Sequence, residues 1–176
     1  QMDKKQFLST ILNRKSVRSF TGKPLGQNDM ELLLRAGMAA PSAHNLQPWK
    51  FIAIVDRQIL NSLAEKLPYA KMLFEAPAAI VVCGDLTKTG SSPKDYWVQD
   101  CSAASENILL AAEALGLGAV WTGVYPRAER VETVQGILNL PSEIVPLNVI
   151  PVGTPKGEHQ AKDKFKSENI QWNRWP

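Results

Sequence analysis

The sequence predicts a β-sheet covered by helices, of α/β or α+β class. Segments of strand character alternate with segments of helical period, and the longest helical segment, 94–115, contains neither glycine nor proline. The 176 residues, 44% hydrophobic and 21% charged, also suit one domain, 1–176, with a real core.

Each element has its own signal. Phe7, Leu8, Ile11 and Leu12 form one stripe of an amphipathic helix ending near Asn13. Asn28 with Glu31 has capping-box character and opens a helix from Asp29 to Ala39, which Pro41 stops. Trp49 to Val55 is aromatic, β-branched and partly alternating, so it reads as a strand, followed by a helix from Asp56 to Leu67. Ala78 to Cys83 is a short continuous apolar run ended by Gly84-Asp85, as in a strand buried on both faces. A Gly/Ser/Pro cluster marks a loop before the long helix of 94–115. That helix is rich in alanine and serine from Cys101 onward, which lets another backbone approach closely, and its apolar character places it at the domain centre or across a subunit contact. Gly116 stops it, Ala119 to Val124 is a third strand, Arg127 to Leu138 a helix, and Ile144 to Val152 a fourth strand interrupted by Pro146 and Pro151. The tail, 153–176, is basic, carries Trp172 and Trp175, and has no convincing period.

Composition excludes several classes. The net charge of +3 is too small for a nucleic-acid footprint unless the cations are concentrated. Cys83 and Cys101 fit neither a CxxC motif nor a secreted disulfide framework and read as buried thiols in a reducing cytoplasm. No signal peptide is visible, and the longest apolar stretch, Ala76 to Cys83, is far below the roughly 20 residues of a membrane span. The expectation is a soluble, cytoplasmic protein without nucleic-acid or membrane partners.

Familiar catalytic motifs fail. Gly116-Leu117-Gly118 precedes a strand instead of following one, and Trp121 stands where the dinucleotide fingerprint needs its third glycine. There is no GxxxxGK[ST], GxSxG or HExxH, and two histidines, His44 and His159, make a metal site or nucleophilic triad a poor reading. His44 stands in a polar loop, as a hydrogen-bonding residue or as an acid–base group.

Two constellations remain. Arg14-Lys15-Ser16-Val17-Arg18 puts three cations and a hydroxyl in five residues at a helix end, suited to an anion or simply to the helix dipole. Pro41-Ser42-Ala43-His44-Asn45-Leu46-Gln47-Pro48-Trp49 is a proline-bounded polar loop leading into a strand, whose Asn and Gln amides suit the edge of a planar heterocycle or a capped turn.

In this order and spacing the two segments resemble the FMN-dependent nitroreductase family, whose first helix is followed by an Arg-[Arg/His/Lys]-Ser-x-[Arg/Lys] motif and whose next helix ends in a Pro-Ser-x-x-Asn-x-Gln-Pro-Trp loop. The likeness continues through Lys71-Met72-Leu73, the long helix, Gly118 to Gly123 and Lys162-Asp163-Lys164, so it covers nearly the whole chain. It implies an α+β fold, an α/β/α sandwich with a mostly antiparallel central sheet, in an intertwined homodimer with 153–176 as an arm packed on the partner subunit. FMN then binds at the subunit interface. Arg14, Lys15 and Ser16 hold phosphate and ribityl chain beside Lys162 and Lys164, Arg18 lies near the flavin N1 and C2 carbonyl, and Lys71 assists. Pro41, Ser42, Ala43, Asn45 and Gln47 of the other subunit line the ring.

Thr122-Gly123 corresponds to the Glu-Gly pair that faces the flavin N5 in larger members. A hydroxyl there resembles the deiodinase-like branch, so one- and two-electron chemistry both stay open. The implied activity is NAD(P)H-dependent reduction of nitroaromatics, quinones or related small acceptors in a ping-pong order. No side chain acts as catalyst beyond the flavin, which Arg18 and Thr122 tune. The alternatives are a flavin-binding protein for sensing or storage, a deiodinase-like flavoprotein, and an RNA- or anion-binding module.

Overall fold

The computed structural model describes residues 4–93 and 95–175. Its helices are α1 (Lys4–Asn13), α2 (Gln27–Met38), α3 (Arg57–Lys66), α4 (Tyr96–Ala114) and α5 (Ala128–Leu138). The strands are β1 (Trp49–Ile54), β2 (Ala78–Asp85), β3 (Gly118–Ala119), β4 (Thr122–Gly123) and β5 (Ile144–Gly153). The sheet runs β1-β2-β5-β3, with β4 also on β5, and every strand pairing is antiparallel. The α+β reading of the sheet therefore holds.

The period-two geometry of β2 explains the sandwich. Every residue of β2 is buried. Ala78, Ile80 and Val82 pack toward α2 and α4, in one cluster with Leu33, Cys101, Ala104 and Ile108. Ala79, Val81 and Cys83 point the other way, into a second cluster with Leu60 and Leu63 of α3 and Val134 of α5. A continuous apolar run is what a strand between two helical layers requires.

Three local expectations change. The helix after residue 26 begins at Gln27 with Gly26 as its N-cap and no side-chain cap. The capping box fails because Glu31 receives Nε and Nη2 of Arg35, at 2.9 and 2.7 Å, instead of reaching back toward Asn28. The expected strand 119–124 is split into β3 and β4. Both pieces keep one register on β5, but Val120 falls opposite Pro151, which has no N–H to donate, and Val120 N reaches the Pro151 carbonyl only at 3.4 Å. Neither proline interrupts β5: Pro151 keeps its register opposite Ala79, and the ladder absorbs Pro146 as a register shift at Val82/Cys83.

Two apolar surfaces lie outside the core formed by the described residues. None of the residues of α1 is buried, and Phe7, Leu8 and Leu12 are 50%, 57% and 75% exposed. In the tail Phe165, Trp172 and Trp175 are likewise exposed.

Candidate anion and cofactor site

The basic segment is held flat on the sheet edge. Val17 N–H donates to Ala119 O at 3.0 Å, and Ser16 bridges Ala119 in parallel. Val17 itself is buried against Phe20 and Ala76. This approach needs Gly118: a Cβ there would lie 2.7 Å from both Cβ and Cγ1 of Val17. The chain then pairs with its own tail. Thr21 N–H donates to Thr154 O, Lys156 N–H donates to Ser19 O, and Phe20 bridges Pro155. That short antiparallel seam turns residues 160–164 back over residues 14–18.

The result is a cavity of about 230 Å³ lined by Arg14, Lys15, Ser16, Arg18, Gln160, Lys162 and Lys164. Five cations and a hydroxyl thus surround one small space, although Arg14 and Lys162 lie 148 positions apart in sequence. Gln160 is the lining residue the sequence reading missed, since it has no motif around it. Two cations are paired with α4: Arg14 Nε stands 3.7 Å from Glu106, and Lys15 Nζ 3.0 Å from Glu113. Among the described residues Arg18, Lys162 and Lys164 have no ion-pair partner. A small space with uncompensated cations and a hydroxyl can take a phosphate monoester through charge-assisted hydrogen bonds.

The proline-bounded loop is built differently. Ala43–Asn45 form a 3-10 turn in which His44 and Asn45 both have φ of 53°, and Gln47 has 49°. Three non-glycine residues in the left-handed region need support from their surroundings. Asp100, buried on α4, accepts the Ala43 N–H at 2.9 Å; Ser42 Oγ accepts the Gln47 N–H at 3.0 Å; and Gln47 Nε2 donates to Asn45 Oδ1 at 2.9 Å. Pro48 O then accepts Asp85 N–H, tying the loop to β2. The side chains of His44, Asn45 and Gln47 stay exposed.

Within one chain the loop and the basic cavity do not meet. The loop hangs from Asp100 and the cavity cations from Glu106 and Glu113, so along α4 the anchors Asp100 and Glu113 lie about 20 Å apart at 1.5 Å rise per residue. None of Pro41 to Gln47 lines the cavity.

The other predicted positions are also placed. Lys71 is exposed at the start of a 3-10 turn, Lys71–Phe74, whose Met72 packs on the Val17–Phe20 cluster beneath the basic segment. Thr122 donates its hydroxyl proton to Val149 O at 2.5 Å. Gly123 is exposed, with open space where a Cβ would stand.

Cys83 and Cys101 are buried and free. Burial pushes the Cys83 thiol up to about 12 and raises Cys101 as well, with Cys83 and Asp100 adding to the effect. Neither supplies a thiolate. Among the described residues no three His, Cys, Asp or Glu side chains converge as a metal site, and no helix is long and apolar enough to cross a membrane.

The Nitroreductase family model matches residues 11–70 and 60–154 of this chain. The chain belongs to the nitroreductase family. A nitroreductase-family relative from Archaeoglobus fulgidus, provisionally named NADH dehydrogenase/NAD(P)H nitroreductase, is 46% identical over 171 residues, covering 96% of this chain and 98% of the relative. A Parabacteroides distasonis protein with the same provisional name has a crystal structure that superposes with a TM-score of 0.92 at 52% identity, covering 97% of this chain and 99% of that one. A family structure from Desulfovibrio desulfuricans, solved in complex with FMN, matches at a TM-score of 0.82 and 28% identity over 97% of this chain and 98% of that one.

Proposed function

We infer that this chain is an NAD(P)H-dependent FMN oxidoreductase of the nitroreductase type. The observation that carries the reading is the cavity where Arg14, Ser16 and Arg18 meet Lys162 and Lys164. Its donor set fits the phosphate of FMN: Lys162 and Lys164, without ion-pair partners among the described residues, can with Arg14 and the Ser16 hydroxyl neutralise and orient a dianion. The names of the relatives and the FMN bound in a family structure support the same cofactor and electron donor.

Bound FMN supplies the electron transfer, and the residues of this chain bind, orient and shield it. Arg14, Ser16, Lys162 and Lys164 hold the phosphate end. Arg18, exposed and unpaired among the described residues, contributes positive charge that favours an electron-rich ring. Lys71 adds charge from the neighbouring turn, and Gly123, next to Thr122, leaves a step without side-chain cover on β4.

The unit of function is a homodimer. Its support is that Pro41, Ser42, Ala43, Asn45 and Gln47 lie far along α4 from the cavity of their own chain, while α1 and the tail expose aromatic and aliphatic side chains outside the core formed by the described residues. A second copy can bring its loop to the cavity and cover both surfaces, with 153–176 as the arm. A nicotinamide donor and a small nitroaromatic or quinone acceptor then use one opening in turn, the ping-pong order. Steady-state kinetics with NADPH or NADH and a quinone test this: parallel double-reciprocal lines are expected, and bound flavin with no turnover would leave a sensing or storage protein instead.

A further inference from the structure

Lys15 is committed elsewhere. An ammonium has three protons to donate, and Lys15 Nζ stands 3.0 and 3.2 Å from the two oxygens of Glu113 and 3.4 Å from Asn13 O. Those three acceptors are enough to occupy the ammonium. The pair is also sheltered, with side chains 24% and 19% exposed, so solvent screens it less than a surface pair. Arg14 differs. Only its Nε approaches a carboxylate, Glu106, at the longer 3.7 Å, and that carboxylate is half exposed, so the terminal guanidinium N–H groups stay available.

We propose that Lys15 is a positioning residue and not a phosphate ligand. Its ammonium staples the turn after α1 to Glu113 near the end of α4, and so presents Arg14, Ser16 and Arg18 to the cavity. The phosphate is held by Arg14 and Ser16 with Lys162 and Lys164, and Arg18 serves the ring. The Lys15–Glu113 pair also contributes no net charge, which leaves an attraction set by the other cations. This rests on the FMN reading above and refines it, because the family resemblance put Lys15 among the phosphate-holding residues.

The arrangement makes an unusual demand on mutants, since removing either partner exposes the other's charge to the anion. The measured quantity is the ratio of riboflavin to FMN dissociation constants, which isolates the grip on the phosphate. Lys15→Met should lower the ratio, because an unpaired Glu113 carboxylate then faces the phosphate. Glu113→Gln should raise it, because Lys15 gains free donors.

The double variant Lys15→Met/Glu113→Gln removes the exposed carboxylate but not the loss of the staple, so it should recover severalfold from Lys15→Met while staying below the parent. Lys164→Met should lower the ratio about tenfold or more, as expected for a lost charge-assisted bond, and Glu113→Gln should not restore it. A double variant as weak for FMN as Lys15→Met alone would overturn the proposal, since no change at Glu113 replaces a direct contact.

A second measurement needs no flavin. In a double-mutant cycle on ligand-free protein, Lys15→Met should reduce the urea-unfolding equilibrium stability at least about threefold more with Glu113 present than with Glu113→Gln. Equal losses in both backgrounds would overturn the staple. Should the parent bind neither flavin, the FMN reading fails while this cycle still decides on Lys15.

Discussion

Replacing Gly118 with alanine tests whether the basic segment owes its position to the sheet edge. The new Cβ would stand 2.7 Å from Val17 Cβ and Cγ1 and 2.9 Å from Cγ2, closer than packed carbons tolerate. Val17 is buried, and turning its side chain cannot help because its own Cβ, which χ1 rotation leaves in place, is one of the atoms at 2.7 Å. The strain must move backbone.

Overpacking of this kind costs about 1–3 kcal/mol, and losing the Val17 N–H to Ala119 O bond adds about 1 kcal/mol. The expected loss is therefore about 2–4 kcal/mol in urea unfolding at fixed protein concentration. The same displacement carries Arg14, Ser16 and Arg18 off the cavity, so FMN affinity should fall about tenfold or more, at 1.4 kcal/mol per decade. Gly136 on α5 is the control: a Cβ there meets nothing within 4 Å, so Gly136→Ala should stabilise by about 0.5–1 kcal/mol. Equal unfolding midpoints for the two variants, with flavin retained in both, would refute the reasoning.

Other expectations follow from the same geometry. Asp100→Ala strips the acceptor from Ala43 N–H and should cost about 1–3 kcal/mol and speed amide exchange at Ala43, while Asp100→Asn, which keeps an acceptor, should cost less; unchanged exchange in Asp100→Ala would show that the loop holds itself. The buried thiols make stability fall in alkali. Both pKa values are raised in the fold above the ordinary 9.0, so the unfolded chain loses these protons first; stability is full below about pH 9 and declines above it, by about 1.4 kcal/mol per pH unit for each thiol, toward the folded value of about 12 for Cys83. A flat profile between pH 9 and 11 in urea titrations would contradict the burial argument. Removing residues 169–176, with Trp172 and Trp175, should shift the protein toward monomer on gel filtration and release FMN in the same step, whereas a dimer that keeps its flavin would put the arm elsewhere.

What was legible in the sequence was local. The continuous apolar run Ala78–Cys83 announced a strand between two layers because burial on both faces needs no polar alternation, and it extends to Asp85 in the fold. The basic motif and the proline-bounded loop were legible for the same reason, since each keeps its chemistry within nine residues.

What joins them was not. The seam of Ser19 and Thr21 with Thr154 and Lys156, which brings Lys162 and Lys164 to Arg14, rests on two backbone hydrogen bonds that no side-chain pattern encodes. Asp100, Glu106 and Glu113 looked like ordinary polar positions of a long helix, yet they anchor the loop and two of the cavity cations to it. Competition misled the reading at Glu31, where Arg35 one turn later outbid the helix end for the same carboxylate. At Val120 a proline on the neighbouring strand, 31 positions away, decided the pairing.

Anaerobic titration of the purified protein with NADPH or NADH tests the central claim most directly. The account predicts a yellow protein carrying one FMN per chain, whose visible flavin bands bleach with one equivalent of reductant and return on adding a quinone. A colourless protein that takes up no added FMN, or bound flavin that neither nicotinamide reduces, would contradict it.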